Sequence, residues 1–275
     1  STNLTKLKAT GFMMDYTNSS HRLDGLVFDC RGIDANIQAI DYNELGPKTN
    51  IYIVNCQFWN YGTAGNGNAM RFRIGSAFST NARMNATITN CDFYNIENGA
   101  FYAADQVSNR HTFVFEDCRF VNWSNHVTLD FYRTAKGGYY DVDVRRCKFI
   151  GGLDAGSIRM SCPGGKIKVE SSLFSGINET TSGGGLGLWI GNTATGWIYN
   201  CNFHSNATIT AGPAIYKYYP NSYPNAVNIR NSLFHDNSTN GVAPINIDPV
   251  NWGTDYDVRY CAVTNQMTND FLIGN

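Results

Sequence analysis

No stretch of this 275-residue chain reads as a helix: nowhere do apolar residues recur at a 3.6 period. No apolar run approaches the roughly 20 residues needed to span a bilayer. Charge is sparse and balanced, with 21 Lys and Arg against 22 Asp and Glu. That leaves no basic field for nucleic acid or an anionic membrane. Eight cysteines are present, but none has a C-x-x-C zinc spacing. No secretory leader is legible and the chain opens on Ser1, so a processed or excised piece is expected.

What the chain does have is a repeated phrase: a small polar residue, Cys or Ser, any residue, then Phe. It reads Asn55-Cys56-Gln57-Phe58, Asn90-Cys91-Asp92-Phe93 and Asp117-Cys118-Arg119-Phe120. It continues through Cys147, Ser172, Cys201 and Ser232, with frayed copies at Asp29-Cys30-Arg31-Gly32 and Tyr260-Cys261-Ala262-Val263. A period near 30 residues signals a repeat architecture.

Upstream of each phrase stands an alternating run, such as Ile51-Tyr52-Ile53 or Val142-Asp143-Val144. Period two with β-branched residues is a strand with one buried face. Counting from Cys, the apolar positions are −5 and −3, then 0 and +2, so the parity breaks between them. The chain must bend at −1, where Asn and Asp tolerate the left-handed conformation. A second punctuation follows the Phe (Asn60, Asn95, Asn122, Gly151, Gly176), then a turn and a third strand such as Met70-Arg71-Phe72-Arg73-Ile74. Coils of three short strands, stacked about 4.8 Å apart, place like residues above like and share one core. The corner asparagines then form a ladder.

Seven of the eight cysteines, all but Cys162, are read as sharing the inward slot, stacked as small buried hydrophobes with Ser172 and Ser232 in the same position. A bridge between neighbouring coils stays geometrically open. Sequons occur at Asn3, Asn18, Asn85, Asn122, Asn178, Asn206 and Asn237. The histidines scatter, except that His204 and His235 share position +3 and are expected to stack outward on alternate coils.

The strand–Asn–Cys-x-Phe–Asn–Gly–strand repeat resembles the right-handed parallel β-helix superfamily, the pectate-lyase-like fold. The resemblance covers about residues 20 to 265 and implies an all-β solenoid of about nine coils. The unbroken repeat makes residues 1–275 one elongated domain, or a piece of a longer solenoid. The superfamily includes polysaccharide lyases and hydrolases, tailspikes and adhesin-like surface proteins.

Its active sites lie on the outward face of the strand after the Gly turn. Here that face carries Arg71, Arg73, Tyr102, Thr128, Asp130, Arg159, Ser161, Trp189, Tyr216, Tyr218, Asn246 and Asp248. Arg71, Arg73, Asp130 and Arg159 are the catalytic candidates, and Trp189, Tyr216, Tyr218 and Asn246 are the residues expected to hold sugar. Arg forks suit carboxylates and aromatic faces suit sugar rings. The competing reading is a solvated sheet face on which Asp130 and Arg159 form an ordinary pair, contributing at most about 1 kcal/mol.

Uronate lyase relatives add a Lys/Arg pair and acidic calcium ligands. No acidic cluster here builds a Ca2+ cage, so no cofactor is expected. Asp130 and Asp248 should lie four coils apart, roughly 19 Å, too far for a hydrolase pair. Two functions follow. One is an extracellular or cell-surface protein that contacts polysaccharide, with uronate lyase activity as its catalytic form. The other is a non-catalytic structural, adhesive or filament-forming solenoid whose strand edges pair end to end.

Overall fold

The corner phrase dictates the architecture. The computed structural model describes residues 5–7, 14–16, 20–30, 38–43, 48–61, 68–74, 83–105, 110–133, 139–154, 156–179, 187–191, 194–208, 214–217, 227–235, 237–239, 245–247 and 256–264. These residues build three parallel stacks: sheet A of ten strands, and sheets B and C of nine each. One coil is Lys48–Val54 in sheet C, Gln57–Trp59 in sheet A and Met70–Ile74 in sheet B. A smaller stack, Asn178–Glu179, Ala207–Thr208 and Ser238–Thr239, fills part of the corner between A and B. No helix occurs among the described residues.

The bend at −1 is a single left-handed residue. Asn55, Asn90, Asp117, Arg146, Ser171, Asn200, Asn231 and Tyr260 all have φ between 50° and 57°. At the first coils their side chains link upward: Asn55 Nδ2 donates to Asp24 Oδ1 (2.8 Å) and Asn90 Nδ2 to Asn55 Oδ1 (2.7 Å). Asp117 carries no amide donor, and the Arg146 fork closes on it from the next coil instead. The second corner repeats the device, with Asn95 donating to Asn60 and Asn122 to Asn95.

The slot after the corner needs a short side chain that can hydrogen-bond. The thiols of Cys56, Cys91, Cys118, Cys147 and Cys201 each donate to the carbonyl two residues back at 3.3–3.4 Å. Ser172 and Ser232 do the same at 2.9 and 3.0 Å. Each serine also accepts the amide N–H of the preceding coil, Cys147 N to Ser172 Oγ and Cys201 N to Ser232 Oγ, both 3.1 Å. A buried amide at a corner must find such a partner. All eight cysteines are free and buried; burial pushes the Cys201 thiol up to about 12.

The first copy of the phrase is not where the cysteine pointed. Phe28, not a residue after Cys30, pairs with Phe58, and Gly25 takes the left-handed corner at φ 68°. Leu26 therefore fills the thiol slot, and Cys30 aligns one position past Asp29, beside Asn60. Gly-Leu-Val-Phe satisfies the same geometry without the Cys letter. Six cysteines, not seven, share the slot.

At +2 the phenylalanines form one column. Phe28, Phe58, Phe93, Phe120, Phe149, Phe174, Phe203 and Phe234 stack with centroids 4.7–5.0 Å apart and ring planes within 11°. The interval is the strand spacing, so the backbone sets it. Every one of these rings is at most 1 % exposed. Beside them Trp123 sends its indole N–H to Gly156 O (3.1 Å), and its ring lies where a Cβ on Gly152 would stand, 2.4 Å away.

Two sequons fall in the core. Asn206 and Asn237 are buried; Asn206 Nδ2 donates to Phe174 O and to Asn237 Oδ1, and accepts Ile177 N–H at Oδ1. Neither side chain can carry a glycan in this fold. Asn85, Asn122 and Asn178 are exposed, while Asn3 and Asn18 lie outside the described residues.

Candidate functional site

Sheet B places the candidate residues at one register position. Asp41, Arg71, Tyr102, Asp130, Arg159, Trp189, Tyr216 and Asn246 follow one another on consecutive coils. The alternation that buries Met70, Phe72, Leu129 and Phe131 turns Arg71, Tyr102, Asp130, Arg159 and Trp189 to the outward face. Tyr102, whose phase is ambiguous in the sequence, belongs to it. A second row, two residues on, runs Asn43, Arg73, Ala104, Tyr132 and Ser161. Lys217 shares the register of the buried Ile190. Tyr218 and Asp248 lie outside the described residues. Thr128 sits one residue before its strand and is buried.

The row's charges are paired within the protein. Arg71 forks onto Asp41, with Nε 3.0 Å from Oδ1 and Nη2 on Oδ2. Arg159 forks onto Asp130, with Nε 2.7 Å from Oδ1 and Nη2 on Oδ2. Asp130 is 0 % exposed although it stands on the outward face. His126 adds its Nε2 3.8 Å from Asp130 Oδ2. Burial acts against the Arg159 charge, but the bonds and charge of Asp130 outweigh it and raise its pKa above the usual arginine value.

The faces of the Arg159 guanidinium are also occupied. Its Cζ lies 5.1 Å from the Tyr132 ring centroid and 5.3 Å from that of Trp189. Edge to Asp130 and faces to aromatic rings, the group braces the sheet. A base must reach the proton it abstracts, and Asp130 is covered by its partners. Asp41 and Asp130 stand three coils apart, about 14 Å at the strand spacing, beyond the about 6.5–9.5 Å of an inverting carboxylate pair. Among the described residues no group of three or more His, Cys, Asp or Glu could hold a metal ion. Nor is any helix of the described residues long and apolar enough to cross a membrane.

The sequence reading missed Asp41 and His126. Asp41 was reachable, since Ile40-Asp41-Tyr42 stands 30 residues before Met70-Arg71-Phe72. His126 comes from the corner before its strand, where the repeat carries no fixed phase. The histidines at +3 also differ from expectation: His204 and His235 lie on neighbouring coils, not alternate ones, with centroids 5.2 Å apart.

Parallel strands in register, left-handed asparagine corners and an outward row of aromatic and paired charged residues define a β-solenoid with one patterned face. The family model for the right handed beta helix region matches residues 76–250, and the chain belongs to that family. No curated protein and no solved structure matches it.

Proposed function

We propose that this β-helix holds a polysaccharide along the outward row of sheet B without cleaving it. One observation carries the reading: the guanidinium groups of Arg71 and Arg159 are already bound to buried carboxylates, while Tyr102, Tyr132 and Trp189 remain half-buried around them. Arginines engaged in this way have their charge neutralised and their Nε–Nη2 edge taken, which weakens their pull on a uronate carboxylate. The strip therefore suits a neutral or weakly charged chain that stacks on aromatic rings at the repeat of the coils. Polymer holding of this kind goes with an extracellular or cell-surface setting.

Affinity electrophoresis through gels cast with neutral and uronate polysaccharides tests this. Retardation should appear in a neutral glycan, with affinity falling about five- to thirtyfold in Trp189→Ala, the loss of one stacking contact of about 1–2 kcal/mol. Circular dichroism should be unchanged. Release of unsaturated uronate product would overturn the non-catalytic reading. Absence of retardation in every glycan would leave the row as a structural brace.

A further inference from the structure

A second site stands on a different sheet. The outward face of sheet C bears charges that alternate in register: Glu116 with Arg145 and Glu170, and Asp143 with Lys168. Where two cations do align, Arg230 with Arg259, the carboxylate of Asp257 bonds both. One run breaks this pattern. Lys48 pairs in register with Arg83, and Arg83 and Arg110 each lie two residues before the paired Asn85 and Thr112. Three cationic residues therefore stand at one register position on adjacent coils, and the exposed Arg83 and Arg110 repel there.

Arg110 is compensated by a fork onto Asp141, with Nη2 2.8 Å from Oδ1. Arg83 is exposed and makes no ion pair among the described residues. Its guanidinium lines an open cleft of about 300 Å3 together with Asn50, Asn85, Arg110 and Thr112. Every lining residue can donate a hydrogen bond and none is acidic. Asn85 Nδ2 donates to Asn50 Oδ1 (3.0 Å), which leaves the Asn50 amide N–H groups as donors.

From this cleft we infer a binding site for a tetrahedral oxyanion, free or carried as a sulfate ester on a sugar. The Arg83 fork would take two oxygens, and the Asn50 amide and Thr112 hydroxyl would take the others. The anion would relieve the repulsion between Arg83 and Arg110. Because the site lies on sheet C, it does not depend on the glycan row of sheet B.

Isothermal titration of the intact chain with sodium sulfate, inorganic phosphate, glucose 6-sulfate and glucose tests the site. Saturable sulfate binding is expected, weakened about tenfold or more in Arg83→Gln and unchanged in Lys166→Gln, a cation elsewhere on the same sheet. Tighter binding of glucose 6-sulfate than of sulfate would assign the ester as the natural source. Equal or weaker binding would assign the free anion. No saturation, or equal loss in both variants, would overturn the inference, since the latter is non-specific screening. Both side chains are exposed and without described partners, so unchanged circular dichroism is expected in each variant.

Discussion

Removing Asp130 separates a brace from a catalyst. In Asp130→Ala the Arg159 guanidinium loses both bonds of its fork and stays held between Tyr132 and Trp189. Breaking one side of a buried ion pair costs about 3–5 kcal/mol. The Arg159 side chain is 19 % exposed, so part of its charge reaches water and the cost should fall to about 2–3 kcal/mol. Replacing both partners, Asp130→Leu with Arg159→Met, removes the stranded charge and should return to within about 1 kcal/mol of the parent. The cycle of Asp130→Leu, Arg159→Met and their double, with each single losing at least about 2 kcal/mol, then gives a coupling of about 3 kcal/mol or more. A solenoid can open in segments, so urea midpoints should be paired with native-state hydrogen exchange at Leu129–Arg133 and Ile158–Ser161. A loss below about 0.5 kcal/mol in Asp130→Ala, or a double variant that loses the sum of the singles, would refute the reasoning.

Gly152→Ala should destabilise by about 1–3 kcal/mol, because its Cβ would meet the Trp123 ring at 2.4 Å. In a Trp123→Leu background the same glycine change should cost less in thermal denaturation, and an equal cost would mean that the clash is not the cause. Acid should weaken the fold in a defined direction. Hydrogen bonds from Arg146, Lys168 and Arg230 hold Asp117, Glu170 and Asp257 below the ordinary carboxylate range. Groups depressed in the folded state stabilise above their unfolded values of about 4, and that contribution is lost as pH falls through the folded ones. The thermal midpoint should therefore drop between about pH 4 and pH 2, less steeply in high salt; a midpoint that rises on acidification would contradict the pairing.

The fold was legible because corners and core repeat, while the site was legible only in part because it does not. Asn before Cys, and Phe two beyond it, are demanded by one left-handed residue and one shared ring column, so they recur in every coil that can supply them. The first coil shows where letters mislead: Gly25 and Leu26 take the corner and the slot without the slot's hydrogen bond, and Cys30 stands four residues past the slot. The role of the cysteine slot was also only half visible. Small and buried describes it, but alanine would be that too. Cys and Ser recur because there they donate to a carbonyl and accept a corner N–H, which alanine could not do. Sheet B's outward row could be placed from strand parity, yet parity says nothing about which cation meets which carboxylate. That depended on Asp41 and Asp130 standing beneath Arg71 and Arg159 in the stack. The same stacking that aligns identical residues in the core puts unlike residues in contact outside it. Function on this fold is therefore decided pair by pair: Asp41 and Asp130 cancel the charges of Arg71 and Arg159 on sheet B, while Arg83 on sheet C has no ion-pair partner among the described residues.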